Sequence, residues 1–173
     1  MNLIVKNTFR LIVVLFIQVF ILKKLSPLHG LVVPYFYFIL ILWLPFKTSR
    51  VALLFYAFFL GIILDFFYKT PGLHTAASLL LAYARPFLVN LLLPKETTEW
   101  GDNAPTRFTM GVIQYITYVI FLTILHNAYL IFLEWLQFGN FLYFTGKLLF
   151  SSLISLLLIF ISELLVNRKT TYR

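Results

Sequence analysis

Residues 61–77 read GIILDFFYKTPGLHTAA. One apolar run carries a single carboxylate, Asp65, and closes in the polar turn Lys69-Thr70-Pro71-Gly72. A second apolar run opens directly behind it at His74. Apolar run, short polar turn, apolar run is the pattern of a helical hairpin, and the rest of the chain decides which solvent that hairpin meets.

The chain has 173 residues, 61% of them hydrophobic and 12% charged. Its mean hydropathy is +0.93. A water-soluble domain carries roughly 25% charged residues, so this chain has too little polar surface for a soluble globule. Lipid is the expected solvent, and the length suits one compact membrane domain. There is no cysteine, which excludes a disulfide framework and any thiolate nucleophile or metal ligand. The 3 histidines are scattered and the acidic residues number 6, so no metal cluster is expected. The net charge of +8 is not arranged as a basic stripe with interleaved aromatics, so nucleic acid is not an expected partner. In a membrane chain, Lys and Arg set orientation and meet anionic headgroups.

Apolar segments separated by charged or Pro/Gly-bearing breaks predict an all-α protein with six membrane spans. These lie near 5–22, 31–46, 51–68, 73–94, 108–133 and 141–166, in a single domain covering 1–173. The first follows Lys6 and Arg10 but lacks a small-x-small cleavage site, and reads as an uncleaved membrane helix. The second is short and has Pro34 and Pro45 near its ends, where a missing N–H is tolerated. The fifth is long, and residues 127–136 are expected to tilt or lie along the interface. Runs this long exceed barrel strands, so helices are expected. Lys6, Arg10, Lys47, Arg50, Lys95, Arg107, Arg168, Lys169 and Arg173 fall on one side; Lys23, Lys24 and Lys69 fall on the other. The excess puts both termini in the cytoplasm and the turn after Asp65 on the outer side.

Ionisable residues inside spans cost about 2.5–3.5 kcal/mol each at a helix centre and mark candidate sites. Five stand there: Asp65, Arg85, Glu134, Lys147 and Glu163. Asp65 has Lys69 four residues on, the spacing of a helix-face pair. Gly61, four residues earlier, lets another helix approach closely. Either Asp65 pairs with Lys69 or takes backbone N–H groups from the turn, or it relays a proton or cation. Thr70 is placed to cap the next helix with Pro71 as its first residue, Gly72 supplies an unusual backbone conformation, and His74 is a polar turn residue. Arg85-Pro86 lies mid-span. Pro86 frees a carbonyl that a guanidinium can occupy, and Glu163 lies at a depth Arg85 can reach, which predicts an Arg85–Glu163 clasp. Glu134 and Lys147 are expected to pair. No Ser/His/Asp set, HExxH motif or glycine-rich phosphate loop is present, so no catalytic residue and no cofactor is assigned.

Residues 61–94, GIILDFFYKTPGLHTAASLLLAYARPFLVNLLLP, resemble the MreD family of rod shape-determining proteins, particularly its form in the Bacteroidetes. The shared features are the glycine four before an aspartate, the aromatic pair after it, T-P-G-L-H opening an Ala-rich helix, and the following Arg-Pro. The helices on either side match only in character. The resemblance implies a non-catalytic inner-membrane scaffold of the rod complex, or elongasome, which couples MreB filaments to peptidoglycan synthesis by RodA and its penicillin-binding transpeptidase. It implies an MreC-like bitopic protein as the direct partner. It also implies a fold similar to the six-helix capture subunits of energy-coupling-factor transporters, and such a subunit is the alternative function. Those subunits dock through small-x-x-x-small stripes, typically on the first helix, whereas RLIVVLFIQVFIL has neither Ala nor Gly. Candidate partner surfaces are the turn 69–74, the aromatic segment 127–141 and the loop bearing Glu96, Glu99 and Asp102.

Overall fold

The computed structural model describes residues 3–25, 32–93, 103–136 and 140–166, with the side chains of 3–8 and 25 left aside. The described residues contain helices and no strands. In chain order these are α1 (Leu3–Phe16), a π-helical stretch Ile17–Leu22, α2 (Lys23–Leu25), α3 (Ile39–Leu42) and α4 (Arg50–Tyr68). They are followed by α5 (Leu73–Leu92), α6 (Arg107–Met110), α7 (Val112–Trp135) and α8 (Phe141–Val166). Four of them, α4, α5, α7 and α8, are long and apolar enough to cross a membrane, and Phe9–Leu22 is a shorter apolar helix. The chain is therefore an all-α, multi-pass membrane protein, with four such helices among the described residues.

Neighbouring helices in sequence pack side by side, α4 on α5, α5 on α7 and α7 on α8. Their outward faces carry large apolar side chains, among them Phe55, Phe59, Phe66, Ile113, Leu153 and Leu157. That is the surface lipid requires, since lipid solvates such groups as well as a protein core does. Ser49 opens α4 by accepting the amide of Ala52, and α4 ends at Tyr68 because Lys69 turns into the left-handed region at φ 58°. Gly111, at φ 88°, separates the single turn of α6 from α7. The helix α7 then runs unbroken to Trp135, with Asn127 fully buried.

The second expected span is not a membrane helix. Residues 32–36 are extended, and only Ile39–Leu42 form a helical turn. Every residue from 33 to 42 is buried, whereas a helix in lipid would leave one face exposed. The local sequence explains the choice. Pro34 disfavours the helical region for Val33, and Val-Val-Pro-Tyr-Phe-Tyr-Phe is rich in β-branched and aromatic residues that suit an extended backbone. This segment touches α1, α4 and α5 and is the centre around which the bundle is arranged.

An extended backbone inside an apolar bundle must find hydrogen-bond partners in protein. Side chains from the surrounding helices supply them. Gln18, fully buried in the π-helical stretch, accepts the amides of Phe36 at 2.8 Å and Tyr37 at 3.2 Å on Oε1. Its Nε2 donates to the Pro34 carbonyl at 3.1 Å and to the Tyr68 hydroxyl at 2.9 Å. On α8, Ser151 accepts the Val33 amide at 3.1 Å and Ser155 the Tyr35 amide at 3.2 Å. Pro34, between those two, has no amide to satisfy. Tyr118 on α7 donates to the Leu42 carbonyl at 3.0 Å, and Arg85 on α5 donates to the Leu44 carbonyl.

Replacing Gln18 by Leu keeps the bulk but strands two amides and a carbonyl in the core. An unsatisfied buried group costs about 1–3 kcal/mol, so Gln18→Leu should lower the thermal unfolding midpoint of the purified protein in detergent. A midpoint at or above wild type would contradict this reading of the segment.

Candidate functional site

The turn between α4 and α5 is built on Asp65, which is buried one turn from the end of α4. Oδ1 accepts the His74 amide at 2.9 Å and the Thr70 hydroxyl at 3.2 Å, and lies 3.1 Å from His74 Nδ1. Oδ2 accepts the Gly72 amide at 3.1 Å, the Thr75 amide at 3.0 Å and the Thr75 hydroxyl at 2.6 Å. The first turn of a helix leaves its N–H groups without intrahelical partners. Here a carboxylate from the preceding helix takes three of them, while the Leu73 amide goes to the Thr70 carbonyl at 3.2 Å. Negative charge at a helix N-terminus also meets the positive end of the helix dipole. Asp65 is thus the N-terminal cap of α5, supplied from α4.

The other residues of the turn make that reach feasible. Gly72, the N-cap position of α5, has φ 87°, a conformation that side chains resist. Gly61 lies against the start of α5 so closely that an added Cβ would fall on the Thr75 Cα and stand 2.8 Å from its amide nitrogen. The expected cap, Thr70 with Pro71 as first helical residue, is replaced by Gly72 with Asp65, because a carboxylate offers two acceptors where a hydroxyl offers one. Asp65 does not pair with Lys69. The helix has ended before residue 69, which turns away exposed, so the four-residue spacing no longer places the two on one face. The turn's backbone N–H groups take the carboxylate instead.

His74 is 2% exposed and belongs to this cluster. With the carboxylate able only to accept, Nδ1 is the nitrogen that carries the proton, and it faces both Asp65 Oδ1 and Thr70 Oγ1. Its ring sits among Tyr35, Tyr37 and Tyr68, with centroids 6.1, 5.7 and 4.8 Å away. Beyond Tyr37 a second buried histidine continues the polar core. The Tyr37 hydroxyl lies 2.7 Å from His126 Nε2, and His126 Nδ1 lies 3.0 Å from Asn127 Oδ1. Asn127 Nδ2 donates to Ser152 Oγ at 3.2 Å. His74 Nε2 and Thr123 Oγ1 are buried with no protein partner and retain hydrogen-bonding capacity. Among the described residues, no group of three or more His, Cys, Asp or Glu is placed to hold a metal ion.

Arg85 and Glu163 are both 2% exposed, but they do not form the expected clasp. The Arg85 guanidinium donates to the Leu44 carbonyl and, from Nε at 3.0 Å, to the Tyr118 hydroxyl. It does occupy a free carbonyl, though one from the buried segment and not one released by Pro86, which sits inside a helix that continues to Leu92. Glu163 accepts the Tyr115 hydroxyl at 3.0 Å and the Arg107 amide at 3.3 Å, tying α8 to α7 and α6. These contacts to Arg85 and Glu163 are made by neutral groups of other elements. Glu134 and Lys147 do pair, at 2.5 Å across α7 and α8.

Gln18, Ser151, Ser155, Tyr118 and His126 were not singled out from sequence. Gln18 is the lone polar residue in a twelve-residue apolar run, and Ser151, Ser155 and Glu163 fall on one face of α8 at multiples of four. Those two patterns were the signals available. Of the candidate partner surfaces, Asn127 is buried, residues 137–139 and the loop bearing Glu96, Glu99 and Asp102 lie outside the described residues, and Lys69, Pro71 and Gly72 are exposed.

Substituting Asp65 by Ala removes the acceptor of the Gly72, His74 and Thr75 amides at the start of α5. Asn keeps one oxygen but turns an NH₂ group against backbone N–H donors. Losing a cap alone costs about 0.5–2 kcal/mol, and stranding donors adds to it. Both variants should therefore melt below wild type in detergent; an Asn variant with an unchanged midpoint would show that the acceptors at this corner are dispensable.

No protein-family model, no curated protein and no solved structure matches this chain.

Proposed function

We propose that the chain is a non-catalytic scaffold of the bacterial inner membrane, acting in the rod complex as an MreD-like protein that binds an MreC-like bitopic partner. The observation that carries this reading is a coincidence of roles in the α4–α5 corner. The residues that bear the resemblance, Gly61, Asp65, Gly72 and His74, are those that lock α5 onto α4. The carboxylate that would be the first choice for proton chemistry accepts from the amides of Gly72, His74 and Thr75 and has both oxygens engaged. A rigid corner presenting Pro71 and Gly72 at the surface suits a docking element.

On this reading both termini are cytoplasmic and the corner faces outward, where the extramembrane part of a bitopic partner lies. The outward face of the first helix bears Phe9, Ile12, Val13, Phe16, Phe20 and Ile21. Small residues at helix interfaces permit close backbone approach, so this bulky face supports the scaffold over a transporter capture subunit. MreB, RodA and the penicillin-binding transpeptidase would be reached through the same complex.

Copurification from native membranes followed by mass spectrometry tests the proposal. An MreC-like protein and wall-synthesis enzymes are expected with the tagged chain. Recovery of an ATPase-driven vitamin uptake module without them would overturn it in favour of a capture subunit.

A further inference from the structure

Five side chains of α4 fall on one outward stripe at helical spacing: Val51, Phe55, Phe58, Ile62 and Phe66, all exposed. Two grooves lie along this stripe and meet at Phe58. One, of about 320 Å³, is lined by Val51, Leu54, Phe55, Phe58 and Leu79. The other, of about 1000 Å³, runs from Phe58 past Ile62 and Phe66 to Lys69, Pro71 and Gly72. From Phe58 to Lys69 is eleven residues, or roughly 17 Å of helix at 1.5 Å each. That is about half the roughly 30 Å hydrocarbon thickness, the depth of one leaflet.

The end of the larger groove is lined by one exposed cation, Lys69, and by Asp65 and Thr75. The Asp65 carboxylate is engaged by the amides of Gly72, His74 and Thr75 in the α5 cap, which leaves the Lys69 ammonium as the group there able to meet an anion. Lys23 is engaged elsewhere: it donates to the Phe67 carbonyl at 2.7 Å and lies over the Tyr68 ring. The stripe has no Gly, Ala or Ser, which a partner helix would need for close backbone approach. Bulky rings with gaps between them instead accommodate a flexible chain.

We propose that this groove is a binding site for an anionic phospholipid of the leaflet at the α4–α5 turn, with one acyl chain against Phe58, Ile62 and Phe66 and its phosphate on Lys69. The site is distinct from bulk lipid contact in selecting headgroup charge at one residue.

Native mass spectrometry of the purified full chain, titrated separately with phosphatidylglycerol and phosphatidylcholine of identical acyl chains, tests it. One basic residue beside an anionic headgroup predicts about fivefold more phosphatidylglycerol adduct. Lys69→Glu should abolish that preference, and Lys24→Glu, a control at an exposed cation, should retain it. Ile62→Trp should reduce adducts of both lipids. Equal binding of the two lipids by wild type, or a preference that survives Lys69→Glu, would overturn the proposal. So would a photocrosslinking residue at position 62 that captures a polypeptide in native membranes instead of lipid.

Discussion

A backbone that is neither helix nor closed barrel has to be hydrogen-bonded by protein when it lies inside an apolar bundle. In this molecule that constraint falls on residues 32–44, and the arrangement of the other elements follows from it. Gln18 from the first helical run, Arg85 from α5, Tyr118 from α7 and Ser151 and Ser155 from α8 each place a side chain on that segment's amides or carbonyls. Helices that would otherwise gain little from apolar contact in lipid are held in register by these polar contacts. The buried charge of Arg85 fits the same account, since its partners are the Leu44 carbonyl and the hydroxyl that serves the Leu42 carbonyl two residues away.

The α4–α5 corner solves a second instance of the same problem. The free N–H groups at the start of α5 are capped by Asp65, at the place where Gly61 lets the two helices touch. The two sites are joined through Tyr68, which holds Gln18 with its hydroxyl and packs its ring, tilted by 40°, against His74. The exposed turn is thereby tied to the central segment through Tyr68 and His74.

Hydropathy and punctuation made α4, α5 and α8 legible nearly to the residue, because a long apolar run bounded by Ser49, by Pro71-Gly72 or by a polar break has few other readings. The second span failed for a physical reason. Hydropathy reports that a run avoids water, and residues 33–42 avoid water by lying inside protein, not by facing lipid. Pro34 and the β-branched and aromatic residues beside it were the signal for an extended path. At the site, Asp65, Gly61 and the Glu134–Lys147 pair could be read from spacing. The Lys69 and Glu163 pairings could not, because spacing along a helix says nothing once the helix ends at Tyr68, and charge complementarity overlooks carbonyls, hydroxyls and amides as partners for ions. Gln18 carries no charge to mark it in an apolar run, although an amide is the side chain best suited to mimic a neighbouring strand.

The most direct test is the ¹³Cα secondary chemical shifts of residues 32–44 by nuclear magnetic resonance of the full chain in lipid nanodiscs. Extended shifts over 32–36, giving way to helical shifts only at Ile39–Leu42, are the result this account predicts. Continuous helical shifts from 32 to 44 would contradict it, since the side chains of Gln18, Ser151 and Ser155 would then have no free backbone to serve.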